Sequence, residues 1–417
     1  MNNNINVAII GGGPAGLAAA CTLYEQGICD VHIFEREHVL GGVLFQCIHN
    51  GFGIHHFKEE LTGPEYAERY IQKVNKTDTF VHTDTAVIDL YRENEALTLV
   101  LLGSKEGLQV FTARAVILAM GCRERNRGNI NIPGSRPAGI MTAGFAQRMV
   151  NLEGYLPGKE IIILGSGDIG LIMARRLSLE GVNVQGVVEI QPFPGGLTRN
   201  IVQCLNDFHI PLYLSHTISN IFGKQRIDSV EITAIDNQLE PDTKNRFTLP
   251  CDTLLLSVGL VPENELSVKA GVILDEATRG PVVDANCMTT VPGIFACGNV
   301  LHVHDIVDYV SEEAARAART AAQFVNKSLT DKDGIRMLAG NLVRYMLPTK
   351  VYTGKPTIVS LRPITPVEDI VLYAKRNGEI VYKKKYQKIL PSSMIQFELP
   401  ALSGIEPVEV FFAGEET

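Results

Sequence analysis

Short, wholly apolar runs, each closed by a glycine or an acid, set the plan of this chain. Asn6-Val7-Ala8-Ile9-Ile10 predicts a buried parallel strand. A glycine-rich turn follows, and Leu17-Ala18-Ala19-Ala20-Cys21-Thr22-Leu23 opens a helix. Val31-His32-Ile33-Phe34-Glu35 predicts the next strand and ends on an acid. The same order then returns: a strand at Glu160-Ile161-Ile162-Ile163-Leu164, a helix from Leu171, and a strand over Val182 to Glu189. Two strand-to-glycine exits, at Ala115 to Gly121 and at Leu254 to Gly259, close the two units. Beyond Arg336 the pattern changes. Seven prolines between Pro348 and Pro407 punctuate short alternating runs. Ile370 to Ala374 and Val408 to Phe412 read as strands, with an Asn377-Gly378 turn.

The turns carry chemistry. Gly11-Gly12-Gly13-Pro14-Ala15-Gly16 and Gly165-Ser166-Gly167-Asp168-Ile169-Gly170 are both GxGxxG, and each precedes its acid, Glu35 or Glu189, by the same spacing. In such a turn the first glycine permits the bend, the second lets a pyrophosphate approach the backbone, and the third lets helix and strand pack closely. The helix N-terminus offers free N–H groups and partial positive charge. The acid accepts ribose hydroxyls. One such motif is weak; two with matched flanks predict two dinucleotide sites. At the second, Glu189 repels a 2′-phosphate, which predicts NAD over NADP. Arg199 keeps NADP open as an alternative, and an empty, degenerate second site is the bland one.

This predicts an α/β protein with two Rossmann-like three-layer dinucleotide-binding domains and a small C-terminal antiparallel β domain. The expected segments are residues 1–125 and 260–335 for a split first domain, 126–259 for an inserted second, and 336–417 for the β domain. Composition alters little: 417 residues, 45% hydrophobic, 20% charged. A net charge of −8 speaks against a nucleic-acid surface. The apolar runs are strand-sized, so no integral membrane segment is expected. The N-terminus lacks a signal-peptide pattern, which predicts a cytoplasmic protein. The eight cysteines are scattered without a CxxC pair, so neither a disulfide framework nor a metal site is expected from them.

Three segments resemble FAD proteins. Gly41-Gly42 follows the first acid closely, Ala115 to Gly121 resembles the turn that ends a first FAD segment, and Val291 to Asn299 resembles a second FAD fingerprint. The fingerprint usually has Asp where this chain has Asn299, whose amide can accept and donate. Together with the two turns, these residues resemble the two-dinucleotide-binding-domain flavoproteins of pyridine nucleotide-disulfide oxidoreductase type, in the thioredoxin-reductase-like layout. The redox cysteine pairs are missing. Ala138 to Gly144 has no cysteine, and Gly41 to Cys47 has one. Longer stretches, at Gly41 to Glu60, Gly121 to Arg127, Pro133 to Gln147 and Gly298 to Glu313, resemble one bacterial subfamily. Its members accompany a glycerol-3-phosphate-dehydrogenase-like flavoprotein and a small cysteine-rich protein, and related subunits occur in hydrogen cyanide synthase and in opine and amino-acid dehydrogenases. The resemblance implies FAD, NAD(H), electron transfer with such partners and a link to glycerol metabolism. It leaves room for a homo-oligomer.

The implied FAD set is Gly11, Gly13, Pro14, Ala15, Gly16, Glu35, Arg36, Gly42, Val87, Gly121, Gly298 and Asn299. The implied NAD set is Gly165, Gly167, Gly170 and Glu189. Asp305 with Asp308 reads as an N-cap and its third-position acid before a helix from about Ile306 to Val325. In this fold that helix points its N-terminus at the flavin. Candidate catalytic groups are Cys47, as a peroxide-reactive or flavin-adjacent thiol, and His49, His302 and His304, as hydrogen-bonding or proton-relay groups. His302 and His304 share a face on an extended chain, but no further ligands for a metal stand out. Arg123, Glu124 and Arg125 read as an ion-pair network. Three functions compete: a subunit passing electrons from NAD(H) through FAD to a partner, a self-contained NADH oxidase or peroxidase, and a nucleotide-binding scaffold. The C-terminal domain is expected to serve docking and to be dispensable for flavin reduction.

Overall fold

A computed structural model describes residues 3–94, 96–236, 238–330 and 334–415. Two compact units result. One comprises Met1–Cys122 with Pro262–Thr417, and the other Arg123–Val261.

The first unit is built on a mixed sheet. Phe80–His82, Val31–Phe34, Asn4–Ile10 and Gly107–Leu118 lie in that order, all parallel. Gly107–Leu118 serves two partners. Its last residues pair in parallel with Ile294–Ala296, and its first half pairs antiparallel with Ala96–Gly103, which continues to Thr85–Glu93. The apolar runs are buried on both faces, as parallel strands require: Val7, Ala8, Ile9, Ile117 and Phe295 have no exposure. The helices Pro14–Glu25 and Val307–Val325 cover one face.

The second unit repeats this plan. Ile140–Thr142, Thr253–Leu256, Glu160–Leu164, Asn183–Glu189 and Leu212–Leu214 form a parallel sheet. His216–Gly223, Ile227–Ile235 and Pro241–Pro250 form an antiparallel meander beside it. Both central strands therefore lie between the strand that ends on the acid and the strand that leads to the exit glycine.

Residues 334–415 form two small sheets around Val359, Leu361, Leu372, Val410 and Phe412. Val367–Arg376 and Glu379–Ile389 make a hairpin. Its turn residues Asn377 and Gly378 both have positive φ, 49° and 84°, as a two-residue hairpin turn requires. Pairing is antiparallel except between Gly334–Ala339 and Val408–Ala413. Hydrogen bonds and packing join this region to the rest of its unit. The Ala285 N–H donates to the Lys350 carbonyl at 2.8 Å, and the Thr349 N–H to the Val283 carbonyl at 3.1 Å. The Tyr352 hydroxyl donates to Asp284 at 2.6 Å, and Leu347 packs into the same core as Val283 and Leu301. No helix among the described residues is long and apolar enough to cross a membrane.

Candidate functional site

The two glycine-rich turns are the same object at atomic level. The Gly11 N–H donates to the Phe34 carbonyl at 2.9 Å, and the Gly165 N–H to Val188 at 2.7 Å. Gly11 and Gly165 have φ of 105° and 96°. A Cβ on Gly16 would lie 1.9 Å from the Gly11 carbonyl oxygen, which forces glycine there. Gly170 meets Gly165 in the same way, at 2.8 Å. Each turn delivers a twelve-residue helix, Pro14–Glu25 or Asp168–Leu179, whose N-cap, Gly13 or Gly167, offers no side-chain cap. A helix N-terminus without a side-chain cap offers N–H groups to an anionic ligand; in the second helix the Gly170 N–H is already given to Ser257 Oγ.

Each acid locks its own turn. Glu35 accepts from the Gly12 N–H at 2.7 Å and from the Glu37 N–H at 2.9 Å. Glu189 accepts from Ser166 N–H and Gln191 N–H, both at 2.9 Å. Both carboxylates are buried. Each carboxylate retains acceptor capacity for a ribose hydroxyl, on Glu189 through Oε1, since its Oε2 already accepts from both the N–H and the Oγ of Ser166, so the two turns fit the dinucleotides the sequence implies.

The duplication runs further than the sequence reading took it. The Gly41 N–H donates to the Gly12 carbonyl at 2.8 Å, and a Cβ on Gly42 would lie 3.1 Å from the Gly13 Cα. Gly195 and Gly196 stand six residues after Glu189, as Gly41 and Gly42 do after Glu35. The Gly195 N–H donates to Ser166 Oγ at 2.8 Å, and Ser166 Oγ donates to Glu189 at 2.6 Å. Asp168 accepts from the Leu197 N–H and the Asn200 amide. Ser257 Oγ accepts from the Gly170 N–H at 3.0 Å. The spacing of the second Gly-Gly pair was the missed signal; the Ser257 contact carried none.

The remaining first-set residues take varied positions. Pro14 opens its helix and Ala15 is buried in it. Gly298 presses against that turn, since a Cβ on it would meet the Ala15 Cβ at 2.9 Å. Gly121, with φ 72°, has open space around it. Asn299 Oδ1 accepts from the His304 N–H at 3.0 Å, and its amide nitrogen lies 3.6 Å from the Cys122 sulfur. Val87 packs on the sheet core from its place opposite Leu101, and Arg36 is exposed.

The catalytic candidates separate. Cys47 is half-buried and its sulfur lies 3.4 Å from the Val43 carbonyl. Burial pushes its thiol up to about 12, which starves it of the thiolate a nucleophile needs. His49 bonds to the Asn50 carbonyl and packs beside Phe52. His302 and His304 come together on a residue the sequence reading passed over, Glu313. His302 Nε2 lies 3.1 Å from one Glu313 oxygen and His304 Nε2 3.5 Å from the other, and all three side chains are buried. The Gly298 N–H also donates to Glu313, at 2.7 Å. Burial and then the His304 charge push His302 down to about 4. Burial works against the Glu313 carboxylate, yet His304 and His302 hold it well below its usual range.

Two sequence expectations fail here. The helix Val307–Val325 begins at Ile306 without a side-chain cap. Asp305 points away from it to Arg362, at 2.6 Å, and accepts from the Met394 N–H. Asp308, fully buried, accepts from the Gly53 and His56 N–H groups and so anchors the loop carrying His55 and His56. Both acids satisfy donors distant in sequence in place of the helix's own. Glu124 accepts from the Gly144 N–H at 2.8 Å, at the start of helix Ala143–Asn151, which no ion-pair reading foresaw.

Known proteins resemble this arrangement. The family model for pyridine nucleotide-disulphide oxidoreductases matches residues 5–343. Hydrogen cyanide synthase subunit HcnB of Pseudomonas protegens is 27% identical over 296 residues, 64% of this chain and 59% of that one. An opine oxidase subunit of Agrobacterium tumefaciens is 24% identical over 315 residues, 70% of this chain and 61% of that one. The chain thus spans less than two thirds of these relatives. The crystal structure of T. acidophilum thioredoxin reductase superposes with a TM-score of 0.63 at 22% identity, covering 77% of this chain and 99% of that one.

Proposed function

The chain belongs to the pyridine nucleotide-disulphide oxidoreductase family, and from that premise we propose that it is the electron-entry subunit of a larger dehydrogenase. The family makes it an FAD-containing, NAD(P)H-dependent oxidoreductase. In our reading NADH reduces the FAD, and the electrons pass to a dehydrogenase-like flavoprotein and a small cysteine-rich protein, in a cytoplasmic system resembling glycerol-3-phosphate dehydrogenase. FAD supplies the hydride and electron chemistry. The chain's residues hold and orient: Glu35 and the Gly11-to-Gly16 turn for FAD, with Gly42 closing over them, and Glu189 with the Gly165-to-Gly170 turn for NAD. Glu189 favours NADH by facing the 2′ position.

One observation carries the partner reading. Two turns are built for dinucleotides, yet the eight cysteines include no CxxC pair, and five of them are buried. Electrons that enter have no dithiol by which to leave, so a second protein takes them. The relatives named as subunits, of hydrogen cyanide synthase and opine oxidase, support an assembly. The opine oxidase likeness also favours a second reading, in which the partner oxidises an opine or amino acid.

Anaerobic stopped-flow absorbance tests this. NADH should bleach the flavin, air alone should reoxidise it slowly, and co-expressed partner proteins should raise turnover. Rapid reoxidation by air with no partner bound would replace this reading with an NADH oxidase.

A further inference from the structure

The His302–His304–Glu313 group does not balance as a hydrogen-bond network. His304 Nδ1 lies 3.0 Å from the His302 carbonyl oxygen. A carbonyl only accepts, so Nδ1 carries the hydrogen and His304 turns Nε2 toward Glu313. Nε2 stands 3.5 Å from a carboxylate oxygen. That is longer than the roughly 2.7–2.9 Å of a charge-assisted hydrogen bond, so the pair does not close on itself. His302 adds a second imbalance, because its Nδ1 is buried without a hydrogen-bond partner. Arg316 reaches the other Glu313 oxygen, at 4.0 Å, and so does not stand between His304 and the carboxylate. Arg362, the next cation, is committed to Asp305.

A cation between the two Nε2 atoms and the carboxylate resolves the open His304–Glu313 contact. The donor atoms lie within 4.8 Å of one another. Ligands about 2.0–2.1 Å from a tetrahedral ion sit about 3.4 Å apart, and the two histidine-to-carboxylate separations are 3.1 and 3.5 Å, one to each Glu313 oxygen, so the carboxylate presents an oxygen to each imidazole. An Nδ1 hydrogen held by a backbone carbonyl, with Nε2 presented inward, is how a ligating imidazole is usually oriented. The Gly298 N–H on Glu313 does the same for the carboxylate. Two imidazoles and one carboxylate suit zinc or ferrous iron and disfavour calcium or magnesium.

We propose that His302, His304 and Glu313 bind one divalent transition-metal ion beneath the Gly298-Asn299 turn. This does not depend on the partner or substrate of the enzyme. The test uses the full-length, flavin-loaded protein, purified without chelator or affinity metal, and metal analysis by plasma mass spectrometry. About one equivalent of zinc or iron per chain is expected. After stripping with chelator, Co2+ should rebind at one equivalent, with ligand-field bands to the red of the flavin absorption. His304→Ala and Glu313→Gln should lose that equivalent. The unmodified protein decides the matter even if the variants fail to fold. Wild-type protein with its flavin in place that holds no stoichiometric metal and takes up no Co2+ overturns the proposal. So does retention of the Co2+ spectrum by a folded His304→Ala variant.

Discussion

Arg362 grips Asp305. Its guanidinium donates to the Asp305 carboxylate at 2.6 Å and to the Val303 carbonyl at 3.2 Å, across a boundary the sequence shows only as a change of pattern. Both side chains are largely buried, at 12% and 14% exposure. The β region thus holds the segment between Asn299 and the Val307–Val325 helix, which our reading places beside the flavin.

Arg362→Ala therefore leaves a carboxylate buried beside an empty place. Removing one partner of a buried pair costs on the order of 3–5 kcal/mol. A lower melting temperature and a reduced flavin-to-protein absorbance ratio are expected. Deleting residues 337–417 should cost the flavin entirely; a yellow, NADH-reducible truncated protein would show the two regions to be independent.

Glu35→Gln keeps the shape of the side chain but replaces one acceptor oxygen with a donor, which then opposes a backbone N–H of Gly12 or Glu37. A loss of roughly 1–3 kcal/mol in FAD binding follows, about a five- to 150-fold rise in dissociation constant. Equilibrium dialysis of the flavin checks it. Undiminished affinity would remove Glu35 from the site.

NADH should reduce the flavin much faster than NADPH, because the Glu189 carboxylate meets the 2′ position. Glu189→Ala should narrow that ratio. Anaerobic reduction rates with the two nucleotides measure it, and equal rates in the unmodified protein would contradict the reading.

Cys47 should resist alkylation near neutral pH, since burial keeps its thiol protonated until about pH 12. The exposed Cys29 serves as the internal control. Peptide mapping after a brief iodoacetamide pulse should find Cys29 labelled well before Cys47. The reverse order would return Cys47 to the list of reactive thiols.

His32 and His82 lie 2.9 Å apart, stacked with Phe34 and Phe80 and met edge-on by Phe111. Burial pulls both below the ordinary 6.5, and for His82 the charge of His32 adds to it. The unfolded chain therefore binds protons first as pH falls through 6.5, and stability declines on the acid side. Melting temperatures on either side of pH 6.5 should show the decline, and His82→Phe should flatten it.

Much of the architecture was legible because it rests on local pattern. The strands at Asn4–Ile10 and Glu160–Leu164, the two glycine turns and the Asn377-Gly378 hairpin all follow from runs and spacings. Side-chain partnerships were harder. Nothing near Asp305 predicts Arg362, and the short spacing of Asp305 and Asp308 imitates a capping pattern that the folded chain does not use. His302 and His304 stand out, but Glu313 is one of two adjacent glutamates on a helix, with nothing in the sequence to set it apart from Glu312. Only the turn of backbone at Gly298 brings it beneath them. The second Gly-Gly pair, Gly195-Gly196, is legible in principle, since it follows Glu189 at the spacing of Gly41-Gly42 after Glu35.

The shared strand Gly107–Leu118 has a consequence for how the protein is made. Its parallel neighbour on one side, Ile294–Ala296, comes from the far side of the whole 123–261 unit. During synthesis the first half of the sheet emerges with that edge unpaired. The second unit is contiguous in sequence and can close on the ribosome while the first still waits. An unpaired edge is an invitation to wrong pairing. The order of emergence thus makes the interval before residues 294–296 appear the vulnerable stage of this chain's birth.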